Sequence, residues 1–116
     1  PSDKILMGIP NYGYDWILPY VKGTFAKSVG NYEAVEIARN YRQAINYNYI
    51  EQAPFFNYYD PISGLHEVWF EDARSIQSKL ELIIKYNLAG ASYWTLNRFF
   101  PQNYLVLNAL FDIKKI

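Results

Sequence analysis

The sequence predicts an α/β fold in which two buried parallel strands are joined through a helix, with a small α+β insert between the first strand and that helix. Three observations predict it. Lys4–Tyr12 (KILMGIPNY) is apolar on both parities, the pattern of a strand covered on both faces in a parallel sheet. Leu88–Leu96 (LAGASYWTL) has the same buried character. Between them, Asp72–Asn87 carries Ile76, Leu80, Ile83, Ile84 and Asn87 on one helical stripe, all but the last apolar. A strand–helix–strand order with buried strands is the unit from which parallel sheets are built.

The elements follow in order. After the first strand, Gly13-Tyr14-Asp15-Trp16 leaves the sheet, and Leu18-Pro19 and Lys22-Gly23 mark a loop. Asn31–Gln43 predicts a helix, with Asn31 as its cap and Glu33 and Glu36 near the positive end of its dipole. Arg39 and Arg42 sit near the negative end, and Ala34, Ile37, Ala38 and Tyr41 form the buried stripe. Pro54–Tyr59 and Leu65–Glu71 flank Asp60-Pro61-Ile62-Ser63-Gly64, a strong turn sequence, and predict an antiparallel hairpin. Ala44–Tyr49 is a candidate third strand. Asp72 caps the next helix, with Ser75 three residues on. A last helix is expected over 102–113, through Leu105, Val106, Ala109, Leu110 and Ile113. No internal repeat or low-complexity stretch occurs.

Composition narrows the function classes. Eleven basic and eleven acidic residues balance, so neither a nucleic acid nor an anionic membrane is expected as a partner. There is no cysteine, which excludes disulfides and thiolate metal sites. No apolar run approaches the roughly 18 residues of a membrane span. No leader sequence is visible, and the early entry into an apolar strand suggests a piece of a longer chain. No phosphate loop, metal constellation or nucleophile elbow is visible, so neither cofactor nor metal is expected. Twelve Tyr, seven Phe and three Trp suit a chain that stacks aromatic faces on sugars, although an aromatic-rich core is the commoner reason for such a composition.

An insert between a strand and its helix occupies the position of the loops that build the active-site face of a (β/α)₈ barrel. Such a barrel needs roughly 250 residues, so 116 residues with two core strands are only a portion of one. Specific motifs point the same way. Lys4–Tyr14, with its G-x-P-x-Y-G run from Gly8 to Gly13, resembles the seventh barrel strand of family 18 glycoside hydrolases. Val68–Lys79 resembles that family's entry into the seventh helix, and Leu88–Trp94 its eighth strand, which ends in the active-site Trp. Ile17–Phe70 is similar to the α+β insertion domain of the larger members. Tyr12–Trp16 and Trp69–Ser75 resemble the bacterial spore-cortex and peptidoglycan-lytic branch.

The resemblance implies the C-terminal part of a TIM (β/α)₈ barrel: strand 7 and its loop in residues 1–16, the α+β insertion domain in 17–70, and helix 7, strand 8 and helix 8 in 71–116. It implies a parent glycosidase acting on GlcNAc-containing polysaccharide, chitin or peptidoglycan, in a secreted, cell-wall or spore-associated setting. Two departures concern the substrate. Chitinases often carry Arg where Tyr14 stands, and L-D-x-D-D where Thr95-Leu96-Asn97-Arg98 follows Trp94. The family's D-x-x-D-x-D-x-E motif, which ends in the general acid, is not in this sequence. The resemblance puts that motif and the rest of the barrel ahead of Pro1, so no catalytic residue is assigned and the chain alone is expected to be inactive. A non-catalytic glycan-binding relative is the alternative, decided by the residue that ends that motif.

Alternation along the strands sets the candidate site. If Trp94 points into the barrel mouth, so do Ser92 and Gly90; if Tyr12 does, so do Pro10 and Gly8. Small residues under two aromatics leave room for a sugar ring, or else form a core with two aromatic plugs. The resemblance implies Trp94 as the floor under the sugar and Tyr12 and Tyr14 as its wall, with Asp15 bonding a hydroxyl. Glu71 and Asp72 form an adjacent carboxylate pair, but successive residues diverge and Asp72 has a capping role. His66, the only histidine, sits beside a turn, a poor position for a base or metal ligand. Phe99, Phe100 and Pro101 are expected to pack, and Lys114-Lys115 to be a solvated helix end.

Overall fold

The computed structural model describes residues 1–114. Its elements are β1 (Leu6–Pro10), β2 (Tyr12–Ile17), β3 (Lys27–Gly30), α1 (Asn31–Asn40), β4 (Asn46–Asn48), β5 (Ala53–Asp60), β6 (Gly64–Trp69), α2 (Ala73–Lys85), β7 (Gly90–Trp94) and α3 (Pro101–Leu110). They form an α/β structure with two sheets. β1 and β7 pair in parallel, with Leu6 opposite Gly90 and Pro10 opposite Trp94. The other sheet has five antiparallel strands in the order β3-β2-β6-β5-β4.

Each sheet rests one face on helix. Beneath β1 and β7, Ile9 meets Ile76, Leu80 and Ile83 of α2 and Phe100 before α3, all buried. The five-stranded sheet buries Val29, Phe56, Tyr58, Val68 and Phe70 against Ala34 and Ala38 of α1. Burying one side chain of this size contributes about 1.5–3 kcal/mol, so each layer has its own stabilising centre. None of the helices among the described residues is long and apolar enough to cross a membrane.

Local chemistry sets the element ends. Asp72 Oδ1 accepts from the backbone N–H of Arg74 and Ser75 at 3.0 and 3.1 Å, and Ser75 Oγ accepts from Asp72 N–H at 2.9 Å. This reciprocal box starts α2 as expected. The hairpin of β5 and β6 also forms as expected. Asp60 Oδ1 accepts from the N–H groups of Ile62 and Ser63 at 2.8 and 2.9 Å, and Gly64 takes φ +93° to close the turn.

Four expectations are corrected. Lys4–Tyr12 is not one strand: β1 ends at Pro10, and after Asn11 the chain re-forms as β2 in the other sheet, so residues 12–17 are strand rather than exit loop. Gly13 makes this possible. A Cβ there would overlap the carbonyl oxygen of Trp69 and stand 2.6 Å from Phe70 Cβ, so only glycine lets β2 lie this close to β6. Asn31 does not cap α1; Gly30 precedes the helix, and Asn31 Oδ1 instead accepts from Glu71 N–H at 2.9 Å. Tyr41, Ile84 and Phe99 are exposed, because α1 ends at Asn40 and buries only Ala34 and Ala38 of its stripe, α2 turns only the Ile76–Leu80–Ile83 line inward, and Phe100 alone of its pair enters the core. The last helix stops at Leu110, leaving Ile113 and Lys114 beyond it; Lys115 lies outside the described residues.

Candidate functional site

The site forms where β1 and β7 end and β2 begins. Alternation along β1 and β7 sends Met7, Ile9, Ala91 and Tyr93 toward the helices. Gly8, Pro10, Ser92 and Trp94 take the opposite, open face and, with Tyr12, border a hollow of about 310 Å³. Trp94 stands at its rim, 74% exposed, with a cis peptide bond to Thr95. Its neighbour Tyr93 shows the contrast, since burial pushes that hydroxyl up to about 12. An open cleft of about 270 Å³ continues from Trp94 toward β2 and β3, bordered by Tyr12, Tyr14, Ser28, Thr95, Asn97 and Arg98. The Tyr12 and Tyr14 rings meet edge to face at 5.6 Å, and Tyr14 is 42% exposed.

Trp94, Tyr12 and Tyr14 therefore converge on one cleft. Asp15 does not join them, which corrects its expected contact with a substrate hydroxyl. It follows Tyr14 on β2 and so faces the other side of the sheet, 6% exposed. There Tyr58 O–H donates to Asp15 Oδ2 at 2.6 Å, and His66 Nδ1 lies 2.7 Å from Asp15 Oδ1. Burial first, and then the bond to Asp15, raise the Tyr58 hydroxyl far above its ordinary range.

Ser63 Oγ lies 2.6 Å from His66 Nε2, so serine, histidine and aspartate stand in line. Nucleophilic catalysis needs donors at the developing oxyanion as well. Here the Ile62 and Ser63 N–H groups already donate to Asp60, whose Oδ1 is 3.1 Å from Ser63 Oγ. A carboxylate in that place opposes an oxyanion. The relay ties the hairpin tip to β2 and gives a buried charge its partners.

The other carboxylates near the site are also committed. Glu71 is buried and holds Lys79 Nζ at 2.9 and 3.0 Å through its two oxygens, and Asp72 caps α2. Trp69 stacks on Phe55 at 4.6 Å and 15°, while its Nε1 donates to Glu67 Oε1 at 2.7 Å. Among the described residues no group of His, Asp and Glu is placed to hold a metal. The arrangement can stack a ring on Trp94, flank it with two tyrosines and offer hydroxyl, amide and guanidinium groups. It holds no free carboxylate in the cleft.

Sequence reasoning missed the groups that fix this geometry. Asn11, 1% exposed, donates through Nδ2 to Thr95 O at 3.4 Å and accepts from Asn103 Nδ2, while its N–H donates to Trp94 O at 2.7 Å. It thereby joins both sheets to the first turn of α3. Arg98 reaches across the cleft and donates to Ser28 Oγ of β3 at 2.8 Å. An asparagine inside the G-x-P-x-Y-G run was a readable signal for Asn11. Nothing local marks Asn103 or Arg98.

Comparison with known proteins bears on the family. The chain is 51% identical to a cortical fragment-lytic enzyme of Bacillus subtilis (strain 168), over 99% of the chain and 27% of that protein. The crystal structure of the spore cortex-lytic enzyme SleL of Bacillus megaterium QM B1551 superposes with a TM-score of 0.95 at 50% identity, over 100% of the chain and 27% of that structure's chain. A chitinase structure from Chromobacterium violaceum ATCC 12472 superposes at 0.84 with 30% identity, over 93% and 33%. The chain thus spans just over a quarter of the length of the lytic enzymes it matches. Residues 1–98 match the model of the glycosyl hydrolases family 18, and the chain belongs to that family.

Proposed function

We propose that this chain is the C-terminal portion of a (β/α)₈ glycosidase barrel that cleaves β-1,4-linked, GlcNAc-containing glycans of the spore cortex or cell wall. In it, β1 and β7 are the seventh and eighth barrel strands, and residues 17–70, with β2 leading into them, form the insertion beside the mouth. The observation that carries this is the Trp94 indole, exposed on the open face of β7 above the small residues Gly8, Pro10 and Ser92. Support also comes from the relatives, which are named as cortex-lytic enzymes and a chitinase.

Chemistry of this family is substrate-assisted, an exception to the two-carboxylate scheme. The substrate's N-acetyl oxygen attacks the anomeric carbon while a carboxylic acid protonates the leaving oxygen. No residue of this chain is assigned as that acid, which belongs to the remainder of the barrel. The part of this chain is positional: Trp94 is the floor under the sugar, Tyr12 and Tyr14 are its wall, and Asn11 and Arg98 hold floor and wall at a fixed separation. A floor that supports a distorted ring stabilises the transition state more than the ground state, so its loss lowers turnover.

Trp94→Ala and Trp69→Ala in the complete protein, assayed on cortex fragments and chitooligosaccharides, test this. Trp94→Ala is expected to lower kcat by about a hundredfold through misplacement of the sugar, and Trp69→Ala by far less. Equal effects in two folded variants would refute the assignment of Trp94. Tight glycan binding without bond cleavage by the unsubstituted protein would assign it to the non-catalytic alternative.

A further inference from the structure

The cleft beside Trp94 is bordered by one charged side chain, Arg98, and among the described residues that charge has no counter-ion. Ser28 and Gly30 stand opposite Tyr14 and Tyr12 in the β2–β3 register, so the four share one sheet face. Arg98 crosses that face from the turn after β7. Its Cδ lies 3.9 Å from where a Gly30 Cβ would stand, and its Nη1 donates to Ser28 Oγ at 2.8 Å. A guanidinium carries several N–H donors. The bond to this neutral hydroxyl is the only one the Arg98 side chain makes among the described residues.

Other cations of the chain show the contrast. Lys27, Arg39, Arg74 and Lys79 each hold a carboxylate within 3.6 Å. Around Arg98 the acids are missing or spent. No Asp or Glu occurs in residues 82–111. Glu33, near Gly30, is taken up by Lys27 Nζ at 3.1 Å and by the Gly30 N–H at 3.4 Å. Asp15 lies on the other sheet face, bound to Tyr58 and His66.

The neutral groups beside Arg98 are turned the same way. Thr95 Oγ1 donates to Asn97 Oδ1 at 2.9 Å, which occupies the amide oxygen and leaves Asn97 Nδ2 as a donor. Ser28 Oγ accepts from Arg98 and so has its own O–H to give. Donors of Arg98, Asn97 and Ser28 thus border one cleft, with no acid among its lining residues. Sugar hydroxyls donate as readily as they accept and call for no charge. Donors gathered around a guanidinium match a carboxylate, whose two oxygens it binds side by side.

We propose that Arg98, with Asn97 and Ser28 beside it, reads a carboxylate carried by the glycan, and so favours acid-bearing strands over neutral chitin. This rests on the assignment of the Trp94 cleft to that glycan. In peptidoglycan the carboxylate belongs to the lactyl ether on the sugar or to a peptide attached there. Arg98 sets specificity in this reading, and its bond to Ser28 fixes where the charge stands.

The test uses the complete protein and compares kcat/KM on peptidoglycan strands with kcat/KM on the same strands after methylamidation, which removes the charge at little change in size. The unsubstituted protein is expected to prefer the acidic strands by about tenfold, through KM, and to lose the preference as salt rises. Arg98→Gln is expected to abolish the preference, Arg98→Lys to keep part of it and Ser28→Ala to keep most of it. A loss common to both strands reports the missing Ser28 bond, whereas the ratio reports the charge. A preference on strands stripped of peptide assigns the carboxylate to the lactyl group; one seen only on peptide-bearing strands assigns it to the peptide. No preference in the unsubstituted protein, or one that Arg98→Gln leaves intact, would overturn the proposal. So would cleavage of neutral chitooligosaccharide but of neither strand. Trp94→Ala on the chitooligosaccharide keeps the two ideas apart. Undiminished turnover there would refute the cleft assignment, whereas a fall there with a ratio independent of Arg98 would refute only the carboxylate reading.

Discussion

The two sheets solve different problems with the same alphabet. The five-stranded sheet closes a core of its own, with Val29, Phe56 and Val68 fully buried against α1 and its one buried carboxylate, Asp15, fully partnered. The β1–β7 pair covers only the side facing α2 and α3; on the other, Leu6 and Trp94 stand 58% and 74% exposed. Two parallel strands without flanking neighbours leave backbone groups on both edges open to pairing. The first region closes its core within this chain, whereas the second leaves one face and both edges for the remaining strands of the proposed barrel.

Phe56→Ala should break that comparison hardest, since removing a fully buried ring costs about 3–5 kcal/mol. The loss is expected in the five-stranded layer alone. Amide exchange should speed up in β5 and β6, while rates in β1 and β7, expected to be the faster ones in the unsubstituted chain, change little. Equal loss of protection in both sheets would show that they open as one unit.

A smaller effect sharpens the other side. Asp72→Ala removes the cap of α2, which supports β1 and β7, and should cost about 1 kcal/mol. Calorimetry should then show the melting of that layer fall by about 4–8 °C. The Arg74–Asp72 ion pair contributes little to this figure, because the arginine is half exposed.

The smallest effect concerns acid. The N–H groups of Ser63 and Ile62, and then the Tyr41 hydroxyl, hold the Asp60 carboxyl at about 2, below its ordinary 3.8. A depressed carboxyl contributes stability that is whole above 3.8 and fades as pH falls through 2. Denaturant midpoints of the unsubstituted chain and of Asp60→Asn are expected to differ at about pH 5 and to converge at about pH 2. A constant gap at both would mean that the Asp60 charge plays no part.

What the sequence disclosed and what it hid divide along the range of the interactions. The Asp72–Ser75 cap and the Asp60–Gly64 turn are settled within four residues, and both were legible. Trp94 and Tyr12 were legible as aromatics above small residues on alternating strands. Asp15 was misjudged because the histidine and tyrosine that bury it lie 51 and 43 residues away. β3 was missed because Lys27-Ser28-Val29-Gly30 has little strand character of its own and exists by pairing with β2. The G-x-P-x-Y-G run singled out Asn11, but its partner Asn103 lies 92 residues on and nothing local announced it.

The single residue between β1 and β2 sets a limit on how this surface can vary. Asn11 is all that separates the two sheets along the chain, and its bonds to Trp94, Thr95 and Asn103 leave the joint no slack. The angle between the proposed floor and wall therefore follows the orientation of one peptide, backed by the Gly13 contact one step further on. Insertions or deletions between β2 and β3, in residues 18–26, would leave that angle untouched. A lineage of such proteins could lengthen or trim that loop freely while the separation of Trp94 and Tyr12 stayed the same.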